Sequence, residues 1–516
     1  MKARELVNLG VPRGPASQAA QRCCAAAARA GADRAAIREA VRAVVAAPAE
    51  YFDDPGWREL AEELTRVSRA RAVAVAAGLV RDDDGAPFKV WGEPGEDFDH
   101  SSLDQLKAAC RLPVARAGAL MPDAHVGYGL PIGGVLATEG AVVPYAVGVD
   151  IACRVKLTVL DLPADTLESD AGRERLTRAI ETETRFGLGA SFGGKGDRGS
   201  KPREHPVLDD DWSVSPVTLR MKDKARKQLG TSGSGNHFVE FGFLDVGAPD
   251  PHRDFQHVHQ PDAAARRPDA AAGSPGDHPF ERLEPGRYLA LLSHSGSRGP
   301  GAAVCDHYSA LAIDSLPGLS KDMARLAWLD LSSEAGEEYW RAMELMGRFA
   351  SANHACIHDH IARRLGARAV ADVENHHNFA WKEVHDFGDG PREYIVHRKG
   401  ATPAHAGLLG VIPGTMADPT FVVRGLADSA SIGSASHGAG RVMSRGQAKR
   451  TFRWAAVRPM LKQRNVTLLS AGIDENPNVY KDIRRVIGLQ RDLVQPIATF
   501  QPRLVKMAPE GERAED

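Results

Sequence analysis

Five side chains of the kinds that bind transition metals stand at predicted turns or strand ends of this 516-residue chain. They are Asp150, Cys153, His237, His294 and His377. Glycine-rich turns let the backbone approach a ligand closely, and binding residues concentrate in such loops. Carboxylate, thiolate and imidazole groups all bind first-row metals, and a thiolate can bridge two ions. One such residue alone is an ordinary polar side chain, but the set of five predicts a metal centre. Ligands as soft as these histidines and this cysteine favour zinc.

His437 is a candidate nucleophile, because it opens the segment His-Gly-Ala-Gly-Arg that ends at Arg441. Small residues after a histidine leave room for a phosphate and expose backbone N–H groups to it. Arg441 and Arg445 can neutralise phosphate oxygens, and an imidazole can attack phosphorus. Gly-Ala-Gly is also common in plain turns, so the segment by itself leaves both interpretations open.

A second pair of histidines, His354 and His358, lies four residues apart in a predicted helix over residues 334–365. This spacing occurs in zinc-binding helices, but the glutamate that serves as a base in those enzymes is absent here. We therefore expect both histidines to lie on a solvent-exposed helix face.

The segment 441–464 is the best local candidate for contact with a nucleic-acid backbone. It contains eight Lys or Arg residues and no acidic residue, with Phe452 and Trp454 among them. Cationic side chains bind phosphates, and aromatic rings stack on bases. A solvated basic helix over residues 444–464 explains the same composition equally well.

Composition excludes several classes of protein. Hydrophobic residues make up 43% and charged residues 26% of the chain, which excludes a wholly disordered protein. The net charge of −2 gives no global attraction to nucleic acid, so any such contact needs a local patch. The longest near-apolar stretch is about half a membrane span, and no signal-peptide pattern opens the sequence. Six scattered cysteines are too few for a disulfide scaffold, and we expect a soluble, cytoplasmic protein.

Three regions are expected along the chain. Residues 1–88 are predicted to form a helical extension, because apolar residues recur at helical spacing from Ile37 to Val45. Residues 89–507 are predicted to form an α+β core, in which strand-like runs alternate with glycine-rich turns. Three of these runs are residues 153–159, 237–241 and 288–292. The aperiodic stretch 245–284 is expected to be a loop insertion, and residues 508–516 a polar tail.

Nine segments resemble, in order, the motifs of the RtcB family of RNA ligases. They are Met121–Gly127, Val147–Cys153, Gly235–Glu240, His294–Arg298, His377–Asn378, His397–Thr402, Pro413–Met416, His437–Arg445 and Tyr480–Asp482. A single motif of this kind is weak, but nine in the family's order are specific. The resemblance implies an RtcB-like core of mixed β-sheets with surrounding helices over about residues 89–507.

The resemblance also implies an activity. Members of the family use GTP and two manganese ions to join RNA ending in a 3′-phosphate or 2′,3′-cyclic phosphate to RNA with a 5′-hydroxyl, in RNA repair or tRNA splicing. The implied nucleophile is His437, which attacks the α-phosphate of GTP; the guanylate then passes to the RNA 3′-phosphate, and the 5′-hydroxyl displaces it. Manganese follows from the resemblance and not from the ligand types. An accessory activating protein is a further partner that the resemblance admits.

Roles for individual residues follow from the same resemblance. Two metals are expected on Asp150, Cys153, His237, His294 and His377, with Cys153 bridging. The guanylate is expected among Asn236, His237, Phe238, Val239, Glu240, His377, Asn378, Pro413, Gly414, Thr415, Met416, Thr420, His437, Gly438, Ala439, Gly440, Tyr480 and Lys506. RNA or nucleotide phosphates are expected at Lys399, Arg441 and Arg445, with Asp123 and His125 as supporting residues.

The sequence departs from the family pattern beside the bridging cysteine. Ala152 and Arg154 flank Cys153, where the family usually has glycines. A cation there can lower the pKa of the thiol or weaken metal binding, so Arg154→Gly is expected to leave activity unchanged or to raise it. Further departures are Ala417–Thr420 near the guanylate and the residues that follow Lys506.

Two alternative functions stay open at this point. One is a divergent metal-dependent phosphoesterase or nucleotidyltransferase that acts on other phosphate ends, and GTP turnover distinguishes it from a ligase. The other is a catalytically silent protein that binds RNA ends, which has no need of a nucleophile such as His437.

Overall fold

The computed structural model describes residues 1–12, 14–193, 200–247 and 278–514. The helices are α1 (Ala3–Val7), α2 (Pro15–Arg29), α3 (Arg34–Ala46), α4 (Arg58–Ala76), α5 (His100–Cys110), α6 (Pro144–Val147), α7 (Asp170–Glu183), α8 (Pro216–Gln228), α9 (Arg298–Ser315), α10 (Glu334–Arg364), α11 (Arg445–Thr451), α12 (Trp454–Gln463) and α13 (Ile483–Leu489). None of these described helices has the length and hydropathy that a membrane span requires.

Strands occupy much of the remaining chain, which confirms the predicted α+β class. They are β1 (Phe88–Val90), β2 (Ala115–His125), β3 (Ile132–Thr138), β4 (Ala141–Val142), β5 (Arg154–Leu160), β6 (Phe238–Val246), β7 (Gly286–Ser295), β8 (Leu329–Asp330), β9 (Ala369–His376), β10 (Asn378–Asp386), β11 (Pro391–Lys399), β12 (Ala401–Pro403), β13 (Leu409–Ile412), β14 (Thr420–Gly425), β15 (Ser434–Ser436), β16 (Thr467–Ser470) and β17 (Val494–Met507).

Two sheets organise the chain from residue 88 onward. The larger sheet has the strand order β13-β14-β17-β6-β7-β5-β9, with β16 paired to β17. The smaller sheet has the order β1-β2-β3-β11-β10. Both are mixed, since β1 with β2 and β16 with β17 are parallel, whereas pairs such as β6 with β7 and β10 with β11 are antiparallel. Only His377 separates β9 of the larger sheet from β10 of the smaller, so the two sheets meet at this residue.

The structure confirms the three predicted strands as β5, β6 and β7, and the long predicted helix as α10. The prediction of a single helix over residues 444–464 is wrong. Phe452 and Arg453 have extended backbone conformations and separate α11 from α12. Phe452 and Trp454 both pack against an apolar cluster that includes Val457 and Val505, and this packing explains the break.

The N-terminal helices α1 to α4 share an apolar core of their own. Ile37, Val41 and Val44 are buried in it, as the helical spacing predicted, and so are Cys23 and Cys24. This core is built from residues of the first 64 positions, together with a few partly buried neighbours. The first 64 residues of the expected extension therefore have an apolar core of their own, whereas Ala86 belongs to a cluster of the following region.

The predicted loop insertion over residues 245–284 falls largely outside the described residues, since 248–277 are not described. The polar C-terminal segment touches the core where it is described. The backbone N–H of Leu188 donates to the Glu512 carboxylate at 3.1 Å, and Ser234 Oγ donates to the carbonyl of Arg513 at 2.7 Å.

Arg154 projects away from Cys153, towards α10. Its guanidinium donates to the carbonyl of Gly347 at 3.1 Å and forms an ion pair with Glu374 on β9. Lys156 Nζ lies 3.1 Å from the same carboxylate. Burial opposes ionisation of Glu374, but these two cations outweigh it and hold the pKa of this carboxyl well below its ordinary value. Arg154 is therefore part of a buried charge network and does not approach the thiol.

This network predicts that Arg154→Gly lowers the stability of the protein, whatever the substitution does to activity. Removing one member of a buried ion pair leaves the other charge uncompensated, which costs about 3–5 kcal/mol when nothing replaces it. Because Lys156 remains beside Glu374, we expect a loss of about 2 kcal/mol in the free energy of unfolding, measured by chemical denaturation. The control is Arg116→Gly on β2, where the pair with Glu139 is exposed and contributes little. Equal losses in the two variants would contradict this account.

Candidate active site

A cleft of about 680 Å³ opens where the two sheets meet. The large sheet supplies its floor, because the antiparallel order β6-β7-β5-β9 brings the start of β6, the end of β7, the start of β5 and the end of β9 to one edge. The cleft is lined by Asn236, His237, Phe238, Glu240, His377, Asn378, Pro413, Gly414, Thr415, Met416, Thr420, His437, Gly438, Ala439, Gly440 and Tyr480, among others. Most of the residues predicted from the resemblance to surround a guanylate therefore lie together.

The five predicted metal ligands converge at this sheet edge. Cys153 Sγ lies 3.1 Å from His294 Nε2 and 3.5 Å from His237 Nε2. His294 Nε2 lies 3.2 Å from His377 Nε2, and His237 Nε2 lies 3.1 Å from Asp150 Oδ2. The atoms form two groups, one with Asp150 and His237 and one with His294 and His377, and Cys153 belongs to both. This is the arrangement expected of a bridging thiolate.

The protonation of His294 shows that the centre suits a cation. Its Nδ1 lies 3.1 Å from the carbonyl of Asn236, which only accepts, so Nδ1 carries the hydrogen. Burial lowers the pKa of His294 to about 3, so the ring is neutral and its Nε2 holds a lone pair. That lone pair faces the sulfur of Cys153 and the ring of His377, whose pKa burial also lowers. A divalent cation between these atoms would bind the sulfur and both ring nitrogens at once.

Asp150 supplies negative charge to the same centre. Burial opposes its ionisation, but a hydrogen bond and charge from His237, with a further contribution from Arg298, lower its pKa to about 2. One carboxylate, one thiol and three imidazoles form a donor set that fits first-row divalent metals, manganese and zinc included. The types of these ligands do not select between the two metals.

His437 is held by the carboxylate of Asp123 at the end of β2. His437 Nδ1 lies 2.7 Å from Asp123 Oδ2, and the backbone N–H of His437 donates to the same oxygen at 3.2 Å. The hydrogen on Nδ1 leaves the lone pair on Nε2, which is the atom a nucleophile needs. The ring centre of His437 lies 4.7 Å from that of His377, so the nucleophile candidate adjoins the metal ligands.

The segment that carries Asp123 is itself fixed. His125 Nδ1 lies 3.1 Å from the carbonyl of Asp123, and burial lowers the pKa of His125 to about 4, so this neutral ring donates. Lys481 Nζ donates to the carbonyls of Pro122 and Ala124 at 2.9 and 2.7 Å. Lys481 belongs to one of the sequence motifs, but the sequence predicted no role for it.

The three expected phosphate-binding cations line the cleft but have partners of their own. Lys399 Nζ donates to the carbonyls of Tyr128 and Tyr145, and burial lowers its pKa to about 7. The guanidinium of Arg441 lies 3.4 Å from Glu475, and that of Arg445 also contacts Glu475. The buried acid Glu475 was missed, because it lies 34 residues after Arg441 in a segment without a recognisable motif.

Two residues expected around the guanylate do not line the cleft. Val239 is buried in an apolar cluster, because alternation along β6 turns Phe238 and Glu240 to the cleft and Val239 to the opposite face. Lys506 lies on β17 between two cleft residues, Val505 and Met507, and its Nζ lies 3.0 Å from Glu181 instead. The same period-two alternation turns both side chains away from the cleft.

The histidines expected on a solvated helix face are buried instead. His354 and His358 are 0% and 2% exposed, and both contact Ser293 on β7. The helical spacing had placed them on one face correctly, but that face packs against the large sheet.

Ala152 takes the place of a family glycine in a backbone conformation that favours glycine. Its φ of 56° is left-handed, which costs an L residue about 1 kcal/mol. This turn places Cys153 directly before β5. The backbone N–H of Cys153 donates to the carbonyl of Asp150 at 3.1 Å.

Comparison with known proteins agrees with this geometry. Residues 105–507 match the family model described as tRNA-splicing ligase RtcB. The RNA-splicing ligase RtcB of Escherichia coli (strain K12) is 32% identical over 459 residues, covering 81% of this chain and 96% of that protein. The RNA-splicing ligase RtcB of Mycobacterium tuberculosis is 30% identical over 455 residues, covering 77% and 98%. The tRNA-splicing ligase RtcB of Nanoarchaeum equitans is 28% identical over 462 residues, covering 78% and 90%.

The family model spans all five candidate metal ligands and His437, and the family predicted from nine motifs is confirmed: the chain belongs to the RtcB family.

Proposed function

We propose that the protein is an RNA ligase that uses GTP and two Mn²⁺ ions to join RNA 3′-phosphate or 2′,3′-cyclic phosphate ends to 5′-hydroxyl ends, in RNA repair or tRNA splicing. The observation that carries this proposal is a histidine oriented as a nucleophile beside a two-group ligand set. His437 bonds to Asp123 through Nδ1 and lies 4.7 Å, ring to ring, from His377.

Two ligand groups would hold the metal ions. Asp150, Cys153 and His237 form one, and Cys153, His294 and His377 form the other. When bound, divalent cations neutralise phosphate charge and orient the reacting phosphate for in-line attack. The shared thiolate keeps the two groups close enough to act on a single phosphate.

His437 Nε2 forms a P–N bond to the α-phosphate of GTP, and pyrophosphate leaves. Asp123 keeps the hydrogen on Nδ1 and stabilises the positive charge that develops on the ring. The guanylate then passes from His437 to the RNA 3′-phosphate. In the last step the 5′-hydroxyl attacks that phosphorus and releases GMP, which leaves a phosphodiester between the two RNA ends.

The cleft residues position the nucleotide and the RNA. Gly438, Ala439 and Gly440 follow the nucleophile and allow close approach of the phosphates. Lys399, Arg441 and Arg445 would meet phosphate oxygens, and Glu475 fixes the two guanidinium groups in the cleft wall. Cytoplasmic location is supported by the six cysteines, which are buried and form no disulfide in the described part of the chain.

A silent RNA-end-binding protein is disfavoured by the bond between His437 and Asp123. A binding module has no use for an imidazole held with a free Nε2 beside a metal-ligand set. A phosphoesterase remains distinguishable by experiment, because it would not retain a guanylate on the chain.

Incubation with α-labelled GTP and Mn²⁺ should leave label on the chain. A P–N bond to imidazole is lost in acid and survives alkali, so the label should show that stability. His437→Ala should lose the label and the ligation of 3′-phosphate to 5′-hydroxyl ends. It should still join a pre-guanylylated RNA 3′ end, because that step needs the metals and not the nucleophile. Equal labelling of both proteins would exclude His437, and a preference for ATP would exclude GTP.

Cys153→Ala should bind less Mn²⁺ and lose activity, since both ligand groups share this thiolate. Metal content after dialysis and ligation rate measure the two effects. Cys110→Ala is the matched control, because Cys110 is also buried, has a pKa raised to about 12 by burial, and contacts no ligand group. A Cys153 variant with full metal content would contradict the bridging role.

Neutralising Lys449, Arg450 and Arg453 together should weaken RNA binding and flatten its dependence on salt, because fewer counterions are released. Guanylylation should persist, since that step needs no RNA. Neutralising Arg34, Arg38 and Arg42 of α3 makes the same charge change on the N-terminal helices and should leave the slope unchanged. If both triple variants show the wild-type slope, the basic segment is only a solvated surface.

A further inference from the structure

A chain of buried polar side chains runs behind the metal-ligand strands, on the face of the large sheet opposite the cleft. We call it the His354 chain, and it comprises Thr158, His358, Ser293, His354 and Ser295. Thr158 Oγ1 lies 2.7 Å from His358 Nδ1, and His358 Nε2 lies 2.8 Å from Ser293 Oγ. Ser293 Oγ lies 2.7 Å from His354 Nδ1, and His354 Nε2 lies 3.0 Å from the carbonyl of Ser295.

The direction of every hydrogen bond in this chain follows from its last member. The Ser295 carbonyl only accepts, so His354 donates through Nε2 and accepts at Nδ1. Burial lowers the pKa of His354 to about 4 and that of His358 well below its ordinary value, so each ring is neutral. The Ser293 hydroxyl therefore donates to His354 and accepts from His358, which in turn accepts from Thr158. Each donor meets one acceptor.

The two ends of the His354 chain lie on β5, which directly follows Cys153, and on β7, which carries His294. Thr158 is on β5, which begins directly after Cys153, and Ser293 and Ser295 stand on either side of His294 on β7. Because side chains alternate along a strand, the serines point to α10 while His294 points to the cleft. The carbonyl of Ser295 also lies 3.5 Å from the Cys153 sulfur. His354 thus holds both neighbours of His294.

The preceding residue of α10 joins a third ligand segment to the same anchor. Asn353 Oδ1 accepts from the backbone N–H of Gly230 at 2.7 Å, and Asn353 Nδ2 donates to the carbonyl of Thr231 at 3.0 Å and to Ser295 Oγ at 3.1 Å. Gly230 and Thr231 open the turn that ends at His237. Consecutive residues of one helix therefore fix the segments that carry His237 and His294.

Stability alone does not account for such a layer. Well-packed apolar side chains of equal volume stabilise a core as well as hydrogen-bonded polar ones do, and no desolvation has to be offset. What a directional chain adds is a fixed register and strand position. The metal ligands need that precision, because a metal ion accepts little variation in the positions of its donor atoms.

We propose that His354 and His358 are positioning residues for the metal centre, which hold β5 and β7 from behind so that Cys153 and His294 converge on one ion. This inference rests on the metal centre of the proposed function. It assigns to α10 a role in metal binding, although none of its residues reaches the cleft.

The test is metal binding by the full chain, with Co²⁺ and Mn²⁺ alone as probes. Cobalt bound to a thiolate gives a near-ultraviolet charge-transfer band, which reports the Cys153 contact without any turnover. We expect His354→Leu to weaken Mn²⁺ binding roughly 10- to 100-fold and to reduce the cobalt band, since loss of a partner behind a ligand has effects of that size. His354→Gln keeps a donor and an acceptor and should restore most of both signals.

His360→Leu is the control on the same helix, because His360 is partly exposed and lies beside Glu183, away from the ligand strands. If His354→Leu does not fold, Ser293→Ala is the variant to measure, and it should weaken Mn²⁺ binding roughly tenfold. Ser309→Ala, at a buried serine of α9, is its control and should leave Mn²⁺ binding unchanged. A folded His354→Leu or Ser293→Ala protein with wild-type affinity and cobalt band would overturn the inference. Wild-type protein that binds neither metal would instead overturn the proposed function.

Discussion

The site depends on the convergence of electron pairs around the sulfur of Cys153. His294 Nε2 lies 3.1 Å and His237 Nε2 lies 3.5 Å from that sulfur, and His377 Nε2 lies 3.2 Å from His294 Nε2. A shared metal ion needs these donor atoms close together, so the fold must hold them in place from outside. Four strand ends at one edge of the large sheet do this, and the order β6-β7-β5-β9 is what makes the edge possible.

The two sheets contribute different parts of the chemistry. The large sheet carries the proposed metal ligands. In the smaller sheet, β2 carries Asp123 near its end, β10 begins at Asn378 and β11 ends at Lys399. His377 is the single residue between β9 and β10, so a proposed metal ligand lies where the proposed nucleotide-binding and nucleophile-orienting residues meet. His437 follows β15, which pairs with β12 just beyond Lys399, and this pairing brings the nucleophile candidate against the carboxylate of Asp123.

More of the cleft than of the structure around it could be predicted from the sequence. Ligands at turns such as Asp150 and Cys153 carry local signals, and the order of nine motifs predicted the family. A motif names a run of residues, whereas a strand turns alternate members to opposite faces, so the motifs did not predict that the side chains of Val239 and Lys506 lie away from the cleft. The ion pair of Arg154 could not be predicted from its position beside Cys153, because its partner Glu374 lies on another strand. The burial of His354 depends on which element covers α10, and no pattern local to the helix contains that information.

Anomalous diffraction from crystals of the full chain grown with Mn²⁺ and GTP tests the central claim most directly. We expect two manganese peaks roughly 3.5–4 Å apart, one on each side of Cys153 Sγ. We also expect continuous density from His437 Nε2 to a guanylate phosphorus. A single peak, two peaks that do not share Cys153, or a nucleotide bound away from His437 would contradict it.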